Sequence, residues 1–233
     1  QYELTLAIDP NYAKARSDYA AVLRSRGDVD AARQQFLSAI ELEPNYADAQ
    51  TNLAVVELSL GLLEQGAKRY EWRRQVSTWR SLAPASGIPE LTGQPVAGKT
   101  LLVYAEQGMG DCVQFVRYVS ELHAGGARVL LRCHESLRTL LQSAPGVDAY
   151  LGPNDPIPPY DYQIPLMSLL HRMGTNLTNV PADIPYLRAP ERLDEQWRDR
   201  MKQHTGTKVG VVWGGSPVNQ DDGNRSLALA CFA

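Results

Sequence analysis

Apolar residues in the first third of the chain follow the spacing of amphipathic helices. Residues 30–42 carry an apolar stripe at positions i, i+4, i+7 and i+8, which is made by Ala32, Phe36, Ala39 and Ile40. Pro44 follows this segment and cannot continue a helix. Residues 13–26 contain neither Pro nor Gly and lead to Gly27, a residue type that commonly ends helices. The pattern therefore predicts two helices joined by a tight turn.

This hairpin pattern repeats with a period of 34 residues. The segment Asp-Pro-Asn-Tyr-Ala at residues 9–13 returns as Glu-Pro-Asn-Tyr-Ala at residues 43–47. The same shift relates further small residues and turn glycines, namely Ala15 to Ala49, Ala20 to Ala54 and Gly27 to Gly61. A fixed period of this length is typical of stacked helical hairpins, each of which buries its apolar face against its neighbours.

The repeated unit resembles the tetratricopeptide repeat (TPR). Ala20 and Ala32 stand at its small positions, Phe36 at its large aromatic position and Pro44 at its terminal proline. The resemblance covers residues 1–80. It implies a helical stack whose concave surface binds a protein or peptide, and a spacer or dimerisation element without a groove ligand stays open as the alternative.

The last unit, residues 47–80, departs from the repeat pattern. Gly66, Arg73 and Thr78 stand where Ala, Ala and Pro are expected. Terminal repeats are commonly atypical, which suits an end of the stack that meets another domain. A Pro- and Gly-rich segment, residues 81–98, follows and predicts a stiff linker at a domain boundary.

From residue 99 the pattern changes to short apolar runs of strand length that alternate with helical segments. The predicted strands are residues 100–105, 128–131, 147–151, 160–164, 184–187 and 209–213. The predicted helices are residues 112–124, 136–143, 166–173 and 193–204. Strand, glycine loop, helix and strand in succession form a βαβ unit, which favours a parallel sheet. The predicted fold class is therefore multidomain, with α-helical repeats followed by a doubly wound, Rossmann-like α/β region.

Two glycine loops follow predicted strands of this region. They contain Gly108 and Gly110 after the first strand, and Gly214, Gly215 and Ser216 after the last. Ligands of such sheets bind at the carboxyl ends of the strands, and a glycine loop before a helix presents N–H groups that suit a phosphate. Glycine is also what a tight turn from strand to helix requires. The dinucleotide pattern GxGxxG and the P-loop pattern are both absent, so NAD enzymes and P-loop ATPases are disfavoured.

Asp111 is the candidate catalytic residue. It stands at the end of the first glycine loop, where a carboxylate could accept a proton from an acceptor hydroxyl. Asp is also among the best N-cap residues, and a helix is predicted to start here. The two roles are compatible, because one carboxylate oxygen can cap the helix while the other contacts a substrate.

Composition excludes several other classes of function. The net charge of −3 offers no basic surface for nucleic acid. No apolar run approaches the roughly 20 residues that a membrane-spanning helix needs. The cysteines, Cys112, Cys133 and Cys231, lack metal-binding spacing and are expected to be buried free thiols in a reducing compartment, which predicts a cytoplasmic protein.

A second resemblance rests on residues 98–118, 181–187, 209–216 and 224–226. These segments are similar to bacterial repeat proteins that carry a glycosyltransferase-like domain related to the heptosyltransferases. The resemblance implies the two-lobed glycosyltransferase-B (GT-B) fold, with residues 99–205 as the first lobe and residues 206–233 as the start of the second. It also implies a nucleotide sugar as substrate, with no metal and no further cofactor.

The same resemblance assigns roles to individual residues. Asp111 matches the presumed general base of the heptosyltransferases. The donor diphosphate is expected at Gly214, Gly215 and Ser216, with Arg225 near the place of a phosphate-binding lysine. The Lys-Trp-Pro pattern of true heptosyltransferases is missing, so heptose specificity is not implied.

Two hypotheses about function follow. In the first, the parent protein is a glycosyltransferase whose repeats recruit a partner or acceptor. In the second, it is a non-catalytic interaction scaffold on a degenerate GT-B platform. The chain begins without Met, and only about 25 residues follow the start of the predicted second lobe. We therefore expect the polypeptide to be a fragment that binds nucleotide sugar weakly and is itself inactive.

Overall fold

The computed structural model describes residues 1–76, 87–215, 222–224 and 226–232, which form two compact units, residues 1–190 and 191–233. The first unit begins with the helices α1 (Tyr2–Ile8), α2 (Ala13–Ser25), α3 (Val29–Leu42), α4 (Ala47–Ser59) and α5 (Leu63–Tyr70). A short 3-10 helix, Glu71–Gln75, continues directly from α5. The helices predicted from the 34-residue period are confirmed, with ends that differ by only one residue for α2 and α3.

Small side chains let the repeat helices pack closely. The core between α2, α3 and α4 is formed by fully or almost fully buried residues, namely Ala20, Leu23, Ala32, Phe36, Ala39, Ala49, Leu53 and Val56. Gly27 and Gly61 end α2 and α4 with positive φ angles of 88° and 77°, which other residues adopt only with strain. The 34-residue period therefore corresponds to one helical hairpin per repeat.

The helices of the last repeat are packed more tightly at Gly66 than those of the preceding repeat are at the equivalent residue, Ala32. A Cβ atom at Gly66 would lie 2.9 Å from Leu58 Cγ and 3.0 Å from the Leu58 backbone nitrogen. Gly66 stands at the position that Ala32 fills in the preceding unit, and α5 approaches α4 too closely there for a methyl group. The departure from the repeat pattern at this residue thus has a steric cause.

The α/β part of the first unit is a parallel sheet. Its strands are β1 (Thr100–Tyr104), β2 (Arg128–Arg132), β3 (Ala149–Leu151) and β4 (Tyr162–Pro165). In the described residues they form one sheet in the order β3-β2-β1-β4. Leu102 in β1 pairs with Leu130 in β2 and with Gln163 in β4. The strand order reverses between β1 and β4, which makes this position the topological switch point of the sheet.

Helical segments cover one face of the sheet. They are α6 (Met109–Phe115), α7 (Val119–Ala124), α8 (Arg138–Leu141) and α9 (Leu169–Arg172), with 3-10 turns at Val116–Tyr118, Glu135–Leu137 and Leu166–Ser168. Their apolar residues share a core with Leu101, Val103, Val129 and Leu131 of the strands. On the other face, Ile157 and Tyr160 of the connection from β3 to β4 pack against Leu102, Leu130 and Leu151. A parallel α/β sheet, as the sequence pattern predicts, is confirmed.

The repeats and the sheet share a hydrophobic core. Ala67 of α5 is buried in the same cluster as the helix-covered face of the sheet, and Leu58 of α4 packs against that cluster. Leu91, which follows the segment 77–86 outside the described residues, is buried there as well. The end of the repeat stack is therefore packed directly on the α/β part of the first unit.

Two predicted strands are wrong. Residues 184–187 and 209–213 are not strands in the structure. Val209 and Val212 are exposed, at 78% and 94% of their surface, so the apolar run at 209–213 is not buried. A β-strand is stabilised by backbone hydrogen bonds to a neighbouring strand, and in the described residues neither segment is paired in the sheet.

Other predictions need smaller corrections. The predicted helices at residues 112–124, 136–143 and 166–173 each combine a short α-helix with a 3-10 turn. Cys112 and Cys133 are buried free thiols as predicted, whereas Cys231 is exposed because its 3-10 helix, Leu229–Phe232, contributes no buried residue. Among the described residues, no helix is long and apolar enough to cross a membrane.

Candidate functional site

The turn after β1 lies at the carboxyl edge of the sheet, beside the switch point. The Ala105 N–H donates to Arg132 O at 2.9 Å and so continues the β1–β2 pairing by one residue. The chain then passes through the buried residue Glu106 to the exposed residue Gly108, and α6 begins at Met109. This is the edge at which open α/β sheets bind their ligands.

Asp111 lies in the first turn of α6 and is half-buried. Its Oδ2 accepts a hydrogen bond from the Gly108 N–H at 3.1 Å. Within the described part of the chain, Oδ1 accepts no hydrogen bond, so one oxygen is held and the other is available. The carboxylate is thus fixed at the carboxyl edge of the sheet and is not enclosed in packed protein.

The prediction that Asp111 is the N-cap residue is wrong. The helix begins at Met109, three residues before the predicted start at residue 112, so Gly108 is the N-cap and Asp111 is the third helical residue. An acidic side chain at this position accepts from the N-cap N–H, which is one half of a capping box. The other half needs a side-chain oxygen at the N-cap, which glycine lacks.

A histidine from the neighbouring strand contacts the same turn. His134 follows β2, and its Nε2 lies 2.8 Å from Gln107 O. Next to it, the Ser136 hydroxyl lies 3.1 Å from Met109 Sδ. His134 is not among the site residues predicted from the sequence. The available signal was its place two residues after β2, because the carboxyl ends of adjacent parallel strands meet at one edge of the sheet.

The end of the repeat stack contacts the turn from the opposite side. Arg73, in the 3-10 helix after α5, forms a buried ion pair with Glu106, in which Nη2 lies 2.6 Å and Nε 3.1 Å from Oε1. The same guanidinium donates to Ser168 Oγ, just after β4, at 2.8 Å and to Glu71 Oε1 at 2.9 Å. The Ser168 hydroxyl donates in turn to Glu71 Oε2 at 3.0 Å. Arg73 therefore connects the segments that follow β1 and β4 through hydrogen bonds to Glu106 and Ser168.

Burial governs the electrostatics of this network. It raises the pKa of Glu106 to about 7, against the opposing effect of Arg73. Burial also disfavours the charge on Arg73, yet Glu106 and Glu71 together raise its pKa. Among the described residues, Oε2 of Glu106 has no hydrogen-bond partner and is buried. An unsatisfied buried oxygen is costly for an ionised carboxylate, which agrees with the direction of the pKa shift.

A cleft opens next to this network. It has a volume of about 420 Å³ and is lined by polar and charged side chains at the carboxyl end of β4, among them Glu71, Arg74, Glu90, Ser168, His171 and Arg172. Arg74 and Glu90 form an ion pair across it. The cleft and the Arg73 network share Glu71 and Ser168, so both belong to the junction between the repeats and the sheet.

The predicted phosphate loop lies in the second unit. Gly214 and Gly215 are exposed, and the Gly215 N–H donates to Ser226 Oγ at 2.9 Å. The Ser226 hydroxyl in turn donates to Asp222 Oδ1 at 2.6 Å. One of the N–H groups predicted to bind a diphosphate is therefore already engaged within the protein. Ser216 and Arg225 lie outside the described residues.

The sequence contained a signal that Arg73 is an unusual residue for its position. The 34-residue shift places Arg73 at the position of Ala39, which is fully buried in the repeat core. An arginine at a small buried position needs a buried countercharge, and Glu71, its ion-pair partner within the repeats, is partly exposed. What the sequence alone could not show is that Glu106, 33 residues further along the chain, supplies it.

The fold and the site define a protein in which helical-hairpin repeats are packed on a parallel α/β sheet. Residues 20–61 match the family model of the TPR repeat, so the repeats in this segment are TPRs. Among solved structures, a mutant O-GlcNAc transferase from Thermobaculum terrenum is similar, with 20% sequence identity and a TM-score of 0.32. The match covers 64% of this chain and 30% of that one, so this chain spans under a third of that protein's length. A search of curated proteins gave no significant match.

Proposed function

We propose that this chain is part of a glycosyltransferase-like protein that transfers a sugar from a nucleotide-sugar donor to an acceptor hydroxyl. The observation that supports this most directly is Asp111, a half-buried carboxylate at the carboxyl edge of a parallel sheet with one oxygen available. The resemblance of residues 98–118 and 209–216 to heptosyltransferase-related domains supplies the reaction class.

In this proposal Asp111 is the general base. The Gly108 N–H holds Oδ2, so Oδ1 accepts the proton of the acceptor hydroxyl while the hydroxyl oxygen attacks the anomeric carbon of the donor. The nucleotide diphosphate leaves with the electron pair of the broken glycosidic bond. Gly108 and Gly110 line the turn, and the resemblance assigns the diphosphate to Gly214, Gly215, Ser216 and Arg225. The scheme requires no metal.

The repeats recruit a protein or peptide, which is either the acceptor itself or a partner that delivers it. TPR stacks bind through the concave surface that successive hairpins form. The chain's free thiols fit a reducing cytoplasm in a bacterial cell. GT-B architecture with a complete second lobe belongs to this proposal as well.

The test combines donor binding with substitution of Asp111 in the intact protein. Titration calorimetry with UDP-, GDP- and ADP-sugars identifies the donor, and D111N is then compared with the parent. We expect D111N to reduce kcat by at least about a hundredfold while the donor Kd stays within about twofold. A D111N variant that retains full turnover would refute the assigned role.

Asp161 provides a matched control at the opposite edge of the sheet. Its Oδ2 accepts from the N–H of Thr100, the first residue of β1, at 2.8 Å, so it is also a carboxylate that holds a backbone N–H. D161N should leave kcat unchanged. Equal losses in D111N and D161N would indicate damage to the fold, and the catalytic role of Asp111 would then be unsupported.

A non-catalytic scaffold is the second candidate. It is favoured by the Arg73–Glu106 pair, which occupies the switch point where a ligand would be expected, and by the engaged Gly215 N–H. A scaffold would bind its partner through the repeats and would show no donor binding in any of the titrations. Saturable binding of one nucleotide sugar would eliminate this candidate.

A further inference from the structure

The turn that carries Asp111 is held from two sides by different parts of the fold. On one side, His134 of the α/β part contacts Gln107 O. On the other side, the repeats supply Arg73 to Glu106, and the Tyr70 hydroxyl accepts from Gln107 Nε2 at 3.4 Å. Glu106 and Gln107 are the residues that connect β1 to the glycine loop. The position of the loop thus depends on the end of the repeat stack.

The Arg73 contact is built as a rigid connection. The side chain of Arg73 is 3% exposed and that of Glu106 is fully buried, so the pair is shielded from water, and breaking it would leave buried charge without its partner. Arg73 also donates to Tyr70 O at 3.1 Å, and its guanidinium lies over the Tyr70 ring, 4.7 Å from the centroid. The guanidinium is therefore fixed to the repeat end while it binds the turn.

A neighbouring arginine, Arg69, forms its ion pair within the repeats. Arg69, one helical turn earlier, pairs with the fully buried Glu57 at 2.9 Å and also contacts Gln50. All of these partners belong to the repeats. Arg69 stabilises the last hairpin internally, whereas Arg73 reaches across the junction.

We propose that Arg73 is a positioning residue, which fixes the Asp111 turn through Glu106 and thereby couples the repeat stack to the site. This inference rests on the proposed function for its catalytic consequence only. The mechanical part, that the order of the turn depends on Arg73, holds for the scaffold as well. A ligand that shifts the last repeat would then move Glu106 and the turn with it.

Hydrogen exchange measured by mass spectrometry tests the mechanical part on the whole protein. R73K keeps the positive charge but loses the planar guanidinium that donates several hydrogen bonds at once. R73Q/E106Q removes both charges together, so that neither is left buried without its partner. Peptides that cover residues 105–115 should exchange at least about tenfold faster in both variants, because hydrogen bonds to charged groups are lost. Peptides of α2 and α3 should keep their protection.

The matched control is the pair within the repeats. R69Q/E57Q should accelerate exchange in α4 and α5 and leave residues 105–115 at the parent rate. The proposal is overturned if residues 105–115 exchange at the parent rate in R73K and R73Q/E106Q. It is overturned as well if R69Q/E57Q exposes these residues to the same degree as R73Q/E106Q.

Kinetics tests the catalytic consequence where the parent transfers sugar. We expect R73Q/E106Q to lower kcat by about a hundredfold, as misplaced catalytic groups do, with an unchanged KM for the donor and partial recovery in R73K. If the parent is active and R73Q/E106Q keeps its kcat, the inference fails and the proposed function stands. If the parent binds no donor, the proposed function fails, and hydrogen exchange still decides whether Arg73 positions the turn.

Discussion

The raised pKa of Glu106 predicts that the stability of the first unit depends on pH. The ordinary pKa of a glutamate is 4.5 and that of Glu106 in the folded protein is about 7, because its carboxyl is buried. Between these two values the folded protein binds more protons than the unfolded chain. The free energy of unfolding therefore falls as the pH rises through this window.

The difference between 4.5 and about 7 corresponds to about 3 kcal/mol at 1.36 kcal/mol per pKa unit. Part of this fall in the free energy of unfolding occurs below about pH 5 or above about pH 8. Between these two pH values the free energy of unfolding should therefore fall by about 2 to 3 kcal/mol. The substitution E106Q removes the ionisation and keeps the size of the side chain. In E106Q this contribution to the pH dependence should disappear.

Urea unfolding followed by circular dichroism, at a series of pH values for the parent and for E106Q, measures this difference. A difference in unfolding free energy between the parent and E106Q that stays constant from about pH 5 to about pH 8 would contradict the raised pKa of Glu106. E135Q serves as a control, because Arg138 lowers the pKa of the exposed Glu135 carboxyl. This variant should retain the decline seen in the parent.

Two further predictions concern the repeats. Phe36 is completely buried between hairpins, so F36A should lower the unfolding free energy by about 3–5 kcal/mol, whereas Y12A, at a 46% exposed site, should cost far less in the same urea titration. G66A should lower stability by about 1 kcal/mol, because overlap with Leu58 outweighs the better helix propensity of Ala. The control is G110A, whose Cβ would meet nothing within 4 Å and which should not destabilise the protein. A G66A variant as stable as the parent would contradict the close packing of α4 and α5.

The repeat fold could be predicted well from the sequence because its information is local. Each hairpin contains its own small residues, aromatic residue and turn glycine, and these residue types recur at a shift of 34 residues. The strands β1 and β2 were predictable for a related reason, since each has an apolar interior, residues 101–103 and 129–131, that is buried on both faces. The run at residues 209–213 has the same apolarity without being paired, which shows that apolarity alone does not make a strand.

The candidate site was only partly predictable because its geometry depends on packing between distant segments. Asp111 could be assigned to the edge of the sheet from the βαβ pattern, but its place within α6 depended on where the helix begins. The strand order brings His134 to the turn, whereas packing of the repeats against the sheet brings Arg73 to it.

Arg73 shows how a departure from a repeat pattern can carry information about function. A charge at a position that the repeat keeps small cannot stay in the repeat core, because burial without a countercharge would cost several kcal/mol. The side chain must therefore pair with carboxylates, of which one is Glu71 of the repeats and the other is a group in the part of the protein that packs against the end of the stack. Here that group is Glu106, which leads into the turn of Asp111. One of the residues that depart from the repeat pattern thus connects the repeats to the candidate site.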